Sequence, residues 1–303
     1  MDTQEFLSQL HELLINFESK IQIQDVRKKV LALVPVLDRV RDIGKSLVPK
    51  GLQMSARDRL LAYFRRYPQT ILNEKELSLV AGIGEWARRV RELRVQFGWP
   101  IISGVTASEM AQNDEVIDDI GSLNQMGPND YLLLEDRQDR DAAFRWNIAN
   151  HIRRESFSMK EKILKYLREN VGKIVTGEEL RYVANGSEWA RRVRELRTEE
   201  GWPIASKMTG RPDLPIGAYV LEMDRQSPLP DRRIPDSIRR QVLMRDKYTC
   251  RKCGWNQDLW NPSDPRFLEV HHIKPHAEGG GSSIDNLEVC CNVCHDQIHS
   301  VDS

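Results

Sequence analysis

Apolar residues recur at helical spacing through the first fifty residues of the chain. They form two stripes, Phe6, Leu10, Leu13, Leu14 and Phe17, then Val26, Val30, Leu33, Leu37 and Val40. Residues three or four apart share one face of an α-helix, so the pattern predicts a helical hairpin over residues 1–50. Pro35 falls inside the second helix and is expected to kink or interrupt it. The apolar stripe could pack on the body of the protein, or it could mediate dimerisation.

The next part of the chain is duplicated. Residues 55–103 align without a gap to residues 158–206, and the segment 85–94 recurs identically as 188–197. Each copy predicts three helices and a strand, with a return strand at 131–134 in the first copy and at 219–221 in the second. Acidic residues at 114–119 are expected to form an exposed loop between the strands of the first copy, and residues 142–154 a helix joining the copies.

This order of elements, helix-turn-helix and then a β-hairpin, resembles a winged-helix domain in tandem. The resemblance places one domain at residues 51–138 and a linking helix with the second domain at 139–225. At 100° per residue, Trp86, Val90 and Leu93 face inwards on the third helix, and the arginines face outwards or flank them. Such a helix suits insertion into the major groove. The candidate DNA-binding residues are Arg88, Arg89, Arg91, Arg94, Arg191, Arg192, Arg194 and Arg197. A solvated Arg–Glu surface is the alternative.

Four of the five cysteines form two C-x-x-C pairs, Cys250 with Cys253 and Cys291 with Cys294. Zinc prefers tetrahedral thiolate coordination, and two intervening residues allow one tight turn to present both sulfurs. Four thiolates leave no open position for water, so the predicted zinc is structural. Cys290 has no assigned role because the spacing favours its neighbour.

Histidines accompany a predicted strand, loop, strand and helix in the same region. Strand-favouring residues occupy 267–273 and 287–289, and His295 and His299 stand four apart, on one face of a helix. His271 and His272 are neighbours on a strand, so their side chains point to opposite faces. One of the two can therefore bind a metal while the other has a different task.

On the basis of these cysteines and histidines, the last quarter of the chain resembles the HNH nucleases, the ββα-metal superfamily, in its four-cysteine zinc subgroup. The lead-in at residues 239–250 belongs to the resemblance. It implies that His271, His295 and His299 bind a catalytic divalent ion, that His272 is the general base and that Asn286 orients this base. Many four-cysteine members carry Asp and Asn where His271 and His295 stand here. Mg²⁺ is the expected ion, with Mn²⁺ or Ni²⁺ as alternatives because imidazole favours softer metals.

Composition narrows the expected partners and compartment. The chain has 303 residues with 45 basic and 45 acidic side chains, so any DNA affinity must come from local basic patches. No apolar run approaches the ~18 residues of a membrane span, and the N-terminus lacks the pattern of a secretory signal. We expect an intracellular protein of the prokaryotic cytoplasm. The Pro-rich segment 226–236 is predicted to be a semi-stiff linker, whose Arg232 and Arg233 could touch the DNA backbone, to a nuclease domain at 237–303.

The predicted fold class is α+β, with an N-terminal helical region, two winged-helix domains and a C-terminal ββα-metal domain with structural zinc. We expect a sequence-specific DNA endonuclease, a Type II or modification-dependent restriction enzyme, that leaves 5′-phosphate and 3′-hydroxyl ends by a one-metal mechanism. One such centre cuts one strand, so a double-strand break predicts a homodimer on double-stranded DNA, and a companion DNA methyltransferase is a further expected partner. The alternatives are a nicking or homing-type HNH nuclease and a non-catalytic tandem winged-helix regulator.

Overall fold

The computed structural model describes residues 2–113, 123–228, 231, 233–259, 261, 264–275 and 278–301. The predicted acidic loop at 114–119 and Arg232 lie outside these residues. The chain divides into two compact units, residues 1–105 with 125–143 and residues 106–124 with 144–303. The first unit contains the hairpin and most of the first copy of the repeat, and the second contains the second copy and the C-terminal domain.

The N-terminal hairpin consists of α1 (Thr3–Lys20) and α2 (Val26–Leu47). Asp2 and Asp25 cap the two helices, because each carboxylate accepts a hydrogen bond from a backbone N–H in the first turn. Of the two effects expected of Pro35, a kink or an interruption, the interruption does not occur, since α2 continues through this residue. Pro35 is exposed, so water can bond the carbonyl that loses its helical donor.

The first copy of the repeat runs α3 (Ala56–Arg66), α4 (Glu74–Ala81) and α5 (Trp86–Arg91), followed by a π-helical turn over Glu92–Gln96. After it come β1 (Ile101–Ser103), α6 (Gly104–Ala111) and β2 (Tyr131–Leu133), and β1 pairs antiparallel with β2. Buried side chains from all three helices and both strands form its core, among them Leu60, Phe64, Leu77, Val90, Leu93, Ile101 and Leu133.

The second copy follows α7 (Ala142–Arg154) and has the same succession of three helices and then two paired strands. It comprises α8 (Met159–Arg168), β3 (Val175–Thr176), α9 (Gly177–Ala184), α10 (Trp189–Thr198), β4 (Ile204–Ser206) and β5 (Ala218–Leu221), with sheet order β3-β5-β4. Trp86 packs edge-on against Tyr131 in the first copy, and Trp189 packs in the same way against Tyr219 in the second. The predicted three helices and hairpin are therefore found in both copies, and the winged-helix assignment stays a prediction.

The C-terminal domain begins with α11 (Asp236–Arg245). Its centre is an antiparallel pair, β6 (Leu268–His272) and β7 (Leu287–Cys291), followed directly by α12 (Asn292–Val301). One face of the pair packs on α11 through Val242, Val270 and Val289. The predicted mixed α+β class is confirmed. Among the described helices, none has the length and apolarity needed to cross a membrane.

Candidate active site and zinc site

The four paired cysteines converge on one point. Cys250 and Cys253 lie on a turn after α11, and Cys291 and Cys294 lie at the junction of β7 and α12. All four sulfurs are within 4.8 Å of one another, and Cys253 Sγ is 3.8 Å from Cys291 Sγ. Tetrahedral zinc with ~2.3 Å bonds to sulfur separates its ligands by about 3.8 Å, so the cluster fits a structural zinc.

The fifth cysteine behaves differently from the four. Burial raises the pKa of the Cys290 thiol to about 12, and its side chain lies in the core. Burial also disfavours the thiolate of Cys250, but hydrogen bonds from backbone N–H groups, Cys253 first, lower its pKa to about 7. Burial also raises the pKa of Cys291 and Cys294, so it is position that separates Cys290 from the four: the four sulfurs form one cluster and the Cys290 sulfur is not part of it.

Three histidines form a second cluster, and two of them lie on α12, the helix that also carries Cys294 of the zinc site. His271 comes from the end of β6, and His295 and His299 come from successive turns of α12. Their ring centroids are 4.7–5.2 Å apart and their planes are steeply inclined. The Nε2 atoms of His295 and His299 are 3.2 Å apart, close to the ~3.3 Å that two nitrogens bound to one tetrahedral transition-metal ion would have. The three predicted histidine ligands are therefore brought together.

Asp231 completes this cluster, and the sequence analysis did not identify it. Its Oδ2 atom lies 3.0 Å from His271 Nδ1, 2.7 Å from His295 Nε2 and 2.8 Å from His299 Nε2. The carboxylate and the three imidazoles form one group of possible ligands whose atoms lie within 4.8 Å of one another. Burial alone would raise the pKa of Asp231, but hydrogen bonds from His271, His295 and the His272 backbone hold it well below its usual range. The residue is a buried anion at the centre of the site.

The segment that carries Asp231 was predicted to be a linker. Its described residues include the buried Ile234, and the Ser227 and Arg233 N–H groups donate to the carbonyls of Gly201 and Thr198. This segment is therefore part of the folded second unit and delivers a ligand to the histidine cluster.

His272 lies next to the cluster and is fully buried. Its backbone N–H and its Nδ1 atom are 2.8 and 3.0 Å from Asp231 Oδ1, and its Nε2 atom is 3.1 Å from Ser282 Oγ. One carboxylate thus reaches the metal-ligand cluster with one oxygen and the predicted base with the other. A carboxylate on Nδ1 favours the tautomer with the proton on that nitrogen, in which Nε2 is the unprotonated nitrogen.

Asn286 holds the loop between the two strands of the site. Its amide accepts a hydrogen bond from the Lys274 N–H and donates to the carbonyls of Lys274 and Gly281. These contacts fix the backbone next to Ser282. Asp231 contacts His272 Nδ1, and Asn286 holds the loop that carries Ser282 beside His272 Nε2.

A second carboxylate orients one of the histidine ligands. Glu269 is two residues before His271 on β6, so its side chain is on the same face, and Glu269 Oε2 lies 2.7 Å from His295 Nδ1. Burial lowers the pKa of His295, but hydrogen bonds to Asp231 and Glu269 outweigh it and raise the pKa to about 9. Carboxylates that bind the far nitrogen of a ligating histidine fix its ring orientation.

Most of the candidate DNA-binding arginines lie on the outer surface of their helices. Arg88 and Arg191 are 60% and 54% exposed, and each pairs with a glutamate one turn on, Glu92 or Glu195, at 3.3 and 3.1 Å. The neighbouring Arg89 and Arg192 bond the same two glutamates, and Arg91 is exposed. Arg94 and Arg194 are half-buried, and Arg94 lies over the Tyr131 ring at 5.4 Å.

Arg197 is different, because its side chain is 3% exposed and forms a buried ion pair with Asp236. Arg197 Nε is 2.9 Å from Asp236 Oδ1. Burial raises the pKa of Asp236, but the Arg197 charge outweighs it and lowers the pKa. Arg197 joins α10 to the first turn of α11 and is removed from the proposed DNA-binding set.

Comparison with known proteins matches two regions of the chain. The family model for the KpnI N-terminal domain matches residues 57–134 and 160–222, which are the two copies of the repeat. The HNH endonuclease model matches residues 250–300, which carry the zinc cluster and the histidine ligands.

The curated proteins that are similar to parts of this chain include nucleases. The Type IV methyl-directed restriction enzyme EcoKMcrA of Escherichia coli strain K12 is 32% identical over 62 residues, 20% of this chain and 22% of that protein. The DNA annealing helicase and endonuclease ZRANB3 is 51% identical in Mus musculus and 49% in Homo sapiens, over 41 residues that are 13% of this chain and 4% of those proteins. No solved structure matches significantly. The chain therefore carries an HNH endonuclease domain at its C-terminal end, preceded by two segments of the KpnI N-terminal domain type.

Proposed function

We propose that this protein is a restriction-type DNA endonuclease that selects its site with the duplicated domains and cuts with the C-terminal domain. The observation that carries the proposal is the convergence of Asp231, His271, His295 and His299 on one point beside His272. A regulator that only binds DNA would have no use for a buried imidazole and a ligand cluster joined by one carboxylate. The matches to a restriction-enzyme domain and to an HNH domain support the same conclusion.

Asp231, His271, His295 and His299 are the residues that would hold the catalytic ion. Bound there, a divalent cation would polarise the phosphate and stabilise the leaving 3′ oxygen. Three imidazoles and one carboxylate favour Mn²⁺ or Ni²⁺ over Mg²⁺, because Mg²⁺ prefers oxygen ligands. This proposal changes the order of preference that the sequence alone suggested.

The proposed general base is His272. The Asp231 carboxylate accepts a hydrogen bond from the Nδ1–H group and holds the ring, so Nε2 takes the proton from the attacking water. Ser282 Oγ lies beside that nitrogen, and the side chain of His272 is closed to solvent. Water therefore reaches Nε2 when Ser282 moves aside, and Asn286 controls this loop through its three backbone hydrogen bonds. The products would be 5′-phosphate and 3′-hydroxyl ends.

The outward arginines are the proposed contacts with double-stranded DNA. Arg88, Arg91 and Arg191 are exposed on equivalent helices of the two copies. In DNA contact, a phosphate would replace Glu92 and Glu195 as the partner of these guanidiniums. The identical segments suit two similar half-sites, or two phosphate contacts that flank a site read elsewhere.

Cleavage mapping tests the proposal. Plasmid and genomic DNA, each with and without base methylation, is incubated with the protein and Mg²⁺, Mn²⁺ or Ni²⁺, with EDTA as the control. We expect metal-dependent cuts at a recurrent sequence whose ends ligate directly, as 5′-phosphate ends do. Nicked circles without linear product would favour a nicking enzyme. Specific binding without any cut would favour the regulator.

Whether cleavage depends on base methylation also determines whether a companion methyltransferase is expected in the cell. An enzyme that cuts unmodified DNA needs a companion methyltransferase in the same prokaryotic cytoplasm to protect the host. One that cuts methylated DNA, as the description of the Escherichia coli relative as a methyl-directed restriction enzyme indicates for that protein, needs none. Cutting confined to one of the two substrates separates these cases.

A further inference from the structure

The α1–α2 hairpin has an apolar face that the rest of the chain leaves exposed. Seven large side chains on this face are between 41% and 71% exposed, namely Leu7, Leu14, Ile21, Val26, Val30, Leu33 and Leu37. On each helix they are spaced by three, four or seven residues, so each set forms one stripe. The stripes are separate from the residues that hold the two helices together, such as the buried Phe6.

Part of the same face is used inside the first unit. Gly44 follows Leu37 by seven residues and therefore continues the stripe of α2. It is buried against α4, and a Cβ atom at this position would collide with the Leu79 carbonyl. The C-terminal end of the α2 stripe thus packs closely on the first copy of the repeat. The part of the stripe from Val26 to Leu37 extends beyond that contact.

The size of the exposed face matches half of a protein interface. Its seven side chains are 41% to 71% exposed and together form an apolar patch on the order of a few hundred Å², the size of the largest patches that single soluble proteins expose. A standard interface buries ~800 Å² per partner, so the stripes with their polar borders are sufficient for a stable contact. In water such a face costs free energy unless another apolar surface covers it.

The charges of the hairpin identify the partner. α1 carries three acidic residues and one basic residue, whereas α2 carries six basic and two acidic residues. Asp38 and Asp42 pair within α2, with Arg41, Arg39 and Lys45. Arg27 and Lys28 in the first turn of α2 are exposed and Lys29 is half-buried, at a helix end where the dipole disfavours positive charge. A helix with net negative charge that packs across α2 would offset this positive charge. The α1 helix of a second copy is such a helix.

We propose that this face binds a second copy of the chain. A two-fold axis sets α1 of one copy over α2 of the other, so that the apolar stripes meet and the opposite net charges align in a four-helix bundle. The inference deepens the proposed function, because two copies bring two cutting centres to one duplex. The contact itself does not depend on catalysis.

The oligomeric state of the full chain tests this surface. In sedimentation equilibrium at about 10 µM, we expect the unaltered protein to have twice the chain mass of 35.1 kDa. Val30→Glu with Leu37→Glu places charges in the stripe and should give the single mass. Phe144→Glu is the matched control, since Phe144 is 76% exposed but lies on α7 in the second unit, and it should remain dimeric.

A milder substitution tests the same surface with less risk that the variant misfolds. Val26→Gln removes one apolar contact at a position already 71% exposed, and it should raise the dimer dissociation constant at least tenfold with unchanged circular dichroism. An unaltered protein of single mass would overturn the proposal, and so would a dimer that both stripe variants leave intact. A dimer that binds but never cuts DNA would reject the proposed function and leave this surface standing. If the dimer surface and the proposed nuclease function are both supported, the monomeric variant should nick plasmid DNA but should produce no linear product.

Discussion

Replacement of Asp231 by asparagine removes one charge from the centre of the histidine cluster and keeps the shape of the side chain. The unaltered carboxylate lies within 3.0 Å of three imidazole nitrogens. Loss of a residue that only supports a metal ligand costs 10–100-fold in affinity, so loss of an anionic ligand should cost at least ~100-fold, or about 2.8 kcal/mol. Asp231→Asn should therefore weaken Mn²⁺ or Ni²⁺ binding by that factor.

The measurement is calorimetric titration of Mn²⁺ into protein that retains one zinc per chain. Asp296→Asn is the control, because Asp296 is the neighbour of His295 in sequence but is exposed and pairs with Arg225. It removes the same charge one residue from a ligand and should leave the affinity within about twofold. Equal Mn²⁺ affinities of Asp231→Asn and the unaltered protein would refute the ligand assignment.

The same variant separates the two roles of the carboxylate. If Asp231 served the metal alone, saturating Mn²⁺ would restore the cleavage rate of Asp231→Asn. Because its second oxygen also bonds His272 Nδ1 at 3.0 Å, we expect the rate to stay at least tenfold low at saturation. Full recovery of kcat would leave the positioning of His272 to other residues.

Three further outcomes follow from contacts in the two units. Cys253→Ser should release zinc and lower the Tm, whereas Cys290→Ala should keep one zinc per chain, as measured with a chromogenic chelator. Arg88→Ala combined with Arg191→Ala should weaken DNA binding and reduce its salt slope by about 2, and an unchanged slope in a titration of KCl would contradict the phosphate contacts. Arg197→Ala should reduce the free energy of unfolding by about 3–5 kcal/mol because it leaves a carboxylate buried without its partner, and urea denaturation measures this.

Local sequence was sufficient for most elements of the fold. Asn73 and Thr176 form complete capping boxes at the starts of α4 and α9, since each box needs only residues within one helical turn. The two C-x-x-C pairs and the His295–His299 spacing are equally local. Such features are fixed by neighbours in sequence, and the structure brings them together as predicted.

Features that depend on distant parts of the chain were not predictable. Asp231 lies 40 to 68 residues from its histidine partners, and no spacing rule marks an acidic residue in a Pro-rich segment as a ligand. The sequence signal was weak, because Asp231 is one of two acidic residues in the segment 226–236 and nothing local distinguishes it from Asp236. Its role arises only when the segment packs beside β6.

The duplicated segment shows the same limit. Arg94 and Arg197 occupy the same place in identical ten-residue segments, yet Arg94 lies over Tyr131 and Arg197 is buried with Asp236. Only the second copy is followed directly by the C-terminal domain, which supplies that carboxylate. Likewise, the first copy has a π-helical turn where α10 stays α-helical. Identical local sequence therefore does not fix the role of a side chain.

The most direct test of the account is plasmid cleavage by purified protein and its His272→Ala variant, each with Mn²⁺ and with EDTA. We predict that the unaltered protein cuts only with the metal and that His272→Ala binds the same DNA with unchanged affinity and does not cut it. Cleavage by His272→Ala at the rate of the unaltered protein, or cleavage that persists in EDTA, would contradict the proposed active site.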